Sequence, residues 1–186
     1  MEWLIIGFVL MFVMAPVMWL KPSPRQKRQG TLRARAADEG ASVKLEKPPL
    51  HHFKGTMPAY RWYYPQEAPG PDFLLVRDSH ASSALDTYCA GWRWRIAPLR
   101  PLPESAAQML QELLERLPQD ALVVESTPNG LTLWWWESQT AERFSVYAAA
   151  FNQLRSTLGG LADQSIKTST SSKKGDVSSP NQAGER

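Results

Sequence analysis

The sequence predicts an α+β protein: an N-terminal transmembrane helix, then a small antiparallel sheet with two helices packed on one face, then a disordered C-terminal tail. Three observations carry this reading. Residues Trp3 to Leu20 include no charged side chain. The middle of the chain alternates short β-branched and aromatic runs, punctuated by proline and glycine, with two stretches whose apolar residues recur at helical spacing. From Ser169 to Arg186 almost nothing apolar remains, and such a composition cannot bury enough surface to offset chain entropy. The 186 residues, 43% apolar and 21% charged, suit one compact unit. They divide into an anchor (1–20), a basic juxtamembrane helix (21–40), a linker with a short strand (41–58), a Trp-rich α+β module (59–164) and the tail (165–186).

The anchor comes first. Its run from Leu4 to Met14 is apolar on every helical face, and at 1.5 Å per residue the uncharged stretch reaches ~27 Å, near the lower limit for the hydrocarbon core. Trp3 and Trp19 stand at the two ends, where indoles favour the headgroup layers. Phe8 and Phe12 lie between them, and Pro16 falls in the last turn. A cleaved signal peptide would need a basic region before the apolar core and a small-residue cleavage site after it, and neither is present.

Orientation follows from charge. The net charge of +3 is segregated: residues 21–47 carry +5, whereas 48–164 carry −3. Lys21, Arg25, Lys27, Arg28, Arg33 and Arg35 all follow the apolar run, and no basic residue precedes it. Basic residues beside a span stay on the cytoplasmic side. The N-terminus is therefore expected outside and everything after Leu20 in the cytoplasm. The single cysteine, Cys89, excludes an intrachain disulfide and fits a reducing compartment.

The junction Lys21, Pro22, Ser23, Pro24, Arg25, Gln26, Lys27, Arg28, placed after a very short outer stub and one span, resembles the YajC family of bacterial inner-membrane proteins, accessory components of the Sec translocon. The resemblance covers roughly the first thirty positions. It implies a bacterial inner-membrane location and a link to protein translocation. Past Arg28 the glycine-rich strand pattern of that family is missing, and Trp-rich segments stand in its place.

Element by element, Ser23 before Pro24 is an N-cap with proline at the first helical position, and Gly40 closes the helix, so Pro24–Glu39 is expected helical. With Leu32 as its only large apolar side chain, it is expected to stay outside the core, meeting anionic lipid or simply fixing topology. Ala41–Glu46 reads as a short strand and Lys47–Leu50 as a stiff linker. Strands are expected at Ala59–Tyr64, Asp72–Arg77 and Gly91–Ile96. A helix spans Pro103–Leu117, with Ala106, Leu110, Leu113, Leu114 and Leu117 on one face. Ala121–Glu125 and Leu131–Glu137 flank an Asn129-Gly130 step that favours a tight hairpin. The last helix, Thr140–Leu158, repeats Phe144, Tyr147, Ala148, Phe151, Leu154 and Leu158 at helical spacing and ends at Gly159 and Gly160.

Residues able to carry chemistry are few. His51 and His52 diverge in an extended chain, and with His80 and Cys89 they make a weak metal constellation. Asp78, Ser79, His80 and Asp86 include the types used in nucleophilic catalysis, but without a nucleophile elbow. No phosphate-cradling loop occurs. We therefore expect no cofactor, no metal, no small-molecule substrate and no enzymatic activity. Recognition rests on aromatic and basic residues. Trp92 and Trp94 alternate with Arg93 and Arg95, so one strand face is aromatic and the other guanidinium. Such interleaving can stack bases of a nucleic acid, but the module's −3 balance argues against a polyanion. Trp134, Trp135 and Trp136 put indoles on both faces of one strand. If helices cover only one face, Trp134 and Trp136, with Trp62 nearby, remain as a partner surface unless the His51–Met57 segment folds over them.

The sequence thus points to a non-enzymatic, single-span accessory or scaffold protein whose partners are membrane lipid and another protein of an envelope complex. The alternative is a membrane-tethered binder of nucleic acid or anionic lipid. One expected outcome follows from the charge asymmetry. A phosphatase that is active only outside the cytoplasm, fused after Gln164, gives no activity in cells. Replacing Arg25, Lys27, Arg28, Arg33 and Arg35 by Gln, with Lys added near Glu2, restores part of it.

Overall fold

The computed structural model describes residues 2–19, 23–89 and 91–162, and within the first stretch the side chains of residues 3–12. Helix α1 (Glu2–Trp19) begins the chain. Its described side chains, Trp3, Phe8 and Phe12 among them, are all exposed. Among the described residues no helix is long and apolar enough to cross a membrane. The side chains of Pro16 and Trp19, the residues Leu20 and Lys21, and the tail expected to be disordered lie outside the described residues.

Seven strands form one antiparallel sheet: β1 (Ser42–Glu46), β2 (Met57–Tyr63), β3 (Phe73–Arg77), β4 (Thr87–Cys89), β5 (Trp92–Ile96), β6 (Ala121–Thr127) and β7 (Gly130–Trp135). Their spatial order is β1-β2-β7-β6-β3-β5-β4. The expected strands are present, and β4, too short to show a period, is additional. Three more helices complete the fold: α2 (Pro24–Asp38), α3 (Glu104–Arg116) and α4 (Ala141–Leu158).

Alternation along the strands builds two cores. Tyr60 and Trp62 of β2, Phe73 and Leu75 of β3, Trp92 of β5, and Leu131, Leu133 and Trp135 of β7 face the helices. There the Trp62 ring stacks on Phe151 with centroids 4.5 Å apart, and Trp135 stacks on Phe144 at 5.7 Å. Met57, Ala59, Leu74, Val76 and Trp134 face the other way. A bulge in β6 between Ala121 and Val123 sends Leu122 and Val123 together to that second core.

Three helices, not two, cover the first face. α4 packs against both α3 and α2. The basic helix α2, expected to stay outside the core, buries Leu32 and Ala36 completely in it. These two side chains join Ala148, Phe151 and the other buried residues of α4 in the same core. The expected N-cap is as read, with the Ser23 hydroxyl accepting from the Gln26 N–H and the Gln26 side chain accepting from the Ser23 N–H.

The second face is covered by residues 47–56, which bring Leu50 onto Met57 and its neighbours in the second core with Phe53 at the margin. Trp134, only 3% exposed, lies beneath. Trp134 and Trp62 are therefore core residues and not surface candidates. Residues 24–57 add Leu32, Ala36, Ala41, Leu50 and Met57 to the two cores, so the segments expected to be a separate helix and a linker belong to the module.

The expected tight hairpin is present, and Gly130 serves it as the first residue of β7. Pro128 and Asn129 form the two-residue loop, and neither they nor Gly130 has positive φ. A Cβ at Gly130 would instead meet the Trp62 carbonyl oxygen at 2.9 Å, so glycine is required by the close approach of β2.

The burial of Trp134 has a measurable consequence. Trp134→Ala should lower the unfolding free energy by about 3–5 kcal/mol in urea denaturation. Trp136→Ala, at a side chain 44% exposed, should cost far less.

Candidate functional site

The most constrained polar group in the molecule is Glu137, which follows β7. Asp120 sets it up by accepting from the Trp136 and Ser138 N–H groups, both at 3.1 Å, and from the Ser138 hydroxyl at 2.7 Å. The turn so clamped holds Glu137 in the left-handed region, φ 58°, a conformation that costs a residue with a Cβ on the order of 1–3 kcal/mol. The side chain is thereby buried, with 1% exposed.

Two elements meet this carboxylate. Arg33 of α2 donates from Nε to Oε1 at 2.6 Å and from a terminal nitrogen to Oε2 at 2.9 Å. The Tyr60 hydroxyl of β2 donates to Oε1 at 2.8 Å. The bidentate bond raises the Arg33 pKa, and burial together with the adjacent carboxylate pushes the Tyr60 phenol well above its ordinary range. The rest of α2 is fastened to α4. Arg35 donates to the Ser145 hydroxyl at 3.0 Å, and the Asn152 amide donates to the Glu39 carbonyl at 2.9 Å.

The basic cluster therefore divides. Arg33 and Arg35, expected to meet lipid or simply to fix topology as solvated charges, are bonded to the module, with Arg35 also paired to Glu39 at 3.2 Å. Arg25, Lys27 and Arg28, on the first two turns of α2, are exposed. Lys21 lies outside the described residues.

The guanidinium face of β5 is similarly occupied. Arg93 pairs with Asp78 at 2.8 Å and donates to the Ser83 and Leu85 carbonyls. Arg95 donates to the Pro49 carbonyl at 2.6 Å. Both arginines fasten loops to the sheet, and Trp92 and Trp94 face the helices, so no Trp–Arg surface is displayed for a polyanion. Of the five expected partner-binding residues, Trp136 alone remains exposed as an aromatic. It sits just past the end of β7, and its ring lies 6.0 Å from that of Phe53.

Among the described residues no group of three or more His, Cys, Asp or Glu side chains could hold a metal ion. Cys89 packs against the main core, and burial raises its thiol pKa. Ser79 and His80 are bonded at 2.9 Å, but Asp78 is held by Arg93 and does not orient the ring, so the triad roles are unfilled. The residues that sequence reasoning missed, Glu137 and Tyr60, carry no periodic signal. A hint lay in the acidic residue directly after three tryptophans, which binary patterning treats as a strand end.

Comparison with protein families, curated proteins and solved structures finds no match to the chain.

Two outcomes test this electrostatic reading. Glu137→Ala leaves the Tyr60 hydroxyl buried without its acceptor and Arg33 unpaired, which should cost about 1–3 kcal/mol and expose α2 to limited proteolysis. In a double-mutant cycle with Arg33→Ala the two losses should be strongly non-additive. Glu125 gives the second test. Burial raises its pKa, opposed by the 3.3 Å bond from the Trp134 indole N–H. The folded state then holds this proton more tightly than the unfolded chain. The contribution of Glu125 to stability consequently falls as pH rises from the unfolded carboxyl range through the raised folded value. Glu125→Gln should match or exceed the parent in urea midpoint at neutral pH, and lose that advantage in acid.

Proposed function

We propose that this chain is a non-enzymatic scaffold subunit, anchored through Trp3 to Leu20 in the bacterial inner membrane with its N-terminus outside, that holds an α+β interaction module at the cytoplasmic face. The observation that carries the reading is the Arg33–Glu137 bond, with the burial of Leu32 and Ala36 beside it. The helix that follows the apolar run is built into the module. A simple tether needs no such fastening, whereas a scaffold that presents a surface at a set height and angle does. The resemblance of the apolar run and proline-containing basic junction to the YajC family supports an accessory role in protein translocation for this scaffold. The surface offered to a partner is centred on Trp136 and Phe53, an aromatic pair at the margin of the second core.

The exposure of Arg25, Lys27 and Arg28 favours a second, compatible contact with anionic headgroups, worth about 1 kcal/mol per basic residue near the surface.

A photoreactive amino acid at position 136 of the full chain, activated in cells, tests the scaffold reading. The expected product is a discrete adduct with an integral membrane protein of a translocation complex, diminished when Glu137→Ala loosens the module from α2. Adducts with nucleic acid, or none above the level seen from an exposed control position on α3, would overturn it.

A further inference from the structure

The fold gathers all three histidines of the chain into one place. His51 and His52 belong to the segment laid over the second face, and His80 ends the short 3-10 turn after β3. Nothing in their sequence spacing requires them to meet. They meet because Arg95 of β5 holds the Pro49 carbonyl at 2.6 Å while Leu50 and Met57 bury themselves in the second core. That pins residues 49–57 beside the turn at Asp78–His80. The chain reverses there through left-handed backbone at His52, φ 58°, and Gly55, φ 99°.

Between the two segments lies a cleft of about 650 Å3. Its polar lining is His51, His52, His80, Arg95, Ser79 and Ser82, with Val76, Ala81 and Leu85 supplying apolar wall. No carboxylate lines it. The acidic neighbour Asp78 is turned to Arg93. Every lining side chain of the polar set can donate a hydrogen bond, and one carries a permanent positive charge.

We propose that this cleft binds a phosphate group, carried either by a small soluble molecule or by a lipid headgroup. A metal ion fits poorly. The Arg95 guanidinium sits 3.1 Å from His51 Nε2, so that nitrogen accepts from a cation instead of facing one. His80 Nδ1 is engaged by Ser79 at 2.9 Å. Because Arg95 can only donate, Nε2 of His51 accepts and its proton sits on Nδ1; an oxyanion bound at His80 Nε2 selects the tautomer in which the Ser79 hydroxyl donates to Nδ1. Each bond leaves the ring's other nitrogen as a donor, the arrangement an oxyanion with several acceptor atoms requires. The apolar wall suits a ligand with a short carbon body beside the phosphate. This site lies on the opposite face of the sheet from α2, and the inference does not rest on the membrane anchor.

The test is a titration of the full chain, kept in solution with dodecyl maltoside, followed through its histidine ring signals by NMR. The probes are inorganic phosphate, glycerol 3-phosphate and lysophosphatidic acid, with chloride at matched ionic strength as the control. We expect signals of all three histidines to shift together and saturate with a phosphate probe and not with chloride. His80→Gln and His52→Gln, each checked for an unchanged circular dichroism spectrum, should weaken binding by about tenfold, the loss of one charge-assisted hydrogen bond. Tighter binding of lysophosphatidic acid than of glycerol 3-phosphate identifies a headgroup as the source, and equal binding identifies a soluble phosphate. Shifts that do not saturate, that chloride reproduces, or that both variants retain would overturn the proposal.

Discussion

A single buried carboxylate organises this molecule. Glu137 is removed from water, and a charge so placed persists only where its lone pairs are met by donors. Two of those donors come from Arg33 and one from Tyr60, and bringing them together joins the helix after the apolar run to the middle of the sheet. The penalty of leaving any member unpaired gives the docking of α2 a directional definition that Leu32 and Ala36, only two side chains, could not supply. The left-handed backbone at Glu137 belongs to the same arrangement, since an extended continuation of β7 would carry this side chain away from α2. Asp120 is the counterweight, with three hydrogen bonds holding the turn in place.

The tryptophans take their meaning from how the two sheet faces are closed. One face is closed by helices, with flat rings stacked on phenylalanines of α4. The other is closed by an irregular segment, which needs side-chain anchors of its own: Leu50 and Met57 by burial, Pro49 by Arg95. Arg93 and Arg95 of β5 consequently act on backbone carbonyls of the loops. Arg77 does the same at another margin, reaching the Ala121 and Pro118 carbonyls while its guanidinium lies 4.3 Å over the Trp92 ring. A guanidinium with five donors can bridge several loop carbonyls at once, which a lysine cannot.

How much of this was legible in the sequence depends on the range of the signal. Helices α3 and α4 were readable because Leu110, Leu113 and Leu114, and Phe144, Ala148 and Phe151, repeat at helical spacing, a local property. The strands other than β4 were readable from alternation and turn residues. The docking of α2 was not, because its face holds Leu32 and Ala36 alone, and the residue that fixes it, Arg33, looks like any other member of a basic cluster. The burial of Trp134 was open for a related reason. Alternation says that it faces away from Trp135, but whether anything covers that face depends on residues 47–56, which have no period. The convergence of His51, His52 and His80 was invisible for the same cause, since the backbone path between Pro49 and Met57 is set by contacts with β5 and with the second core.

The Arg33–Glu137 bond spans 104 positions of sequence. On a ribosome the basic helix emerges among the earliest segments, while its ion-pair partner and the α4 surface that receives Leu32 are among the last parts of the module to be made. Closing so long a loop is slow, and nothing local can substitute for it. Helix α2 must therefore wait, its apolar pair unburied and Arg33 without its carboxylate, until the module is nearly complete. Before that, Arg33 lacks Glu137 and Arg35 has only its local partner Glu39, and completion of the module engages both with distant residues. The positive charge α2 displays before the module closes is thus greater than the charge it displays afterwards, and Arg33 passes from a solvated cation to a structural member as folding completes.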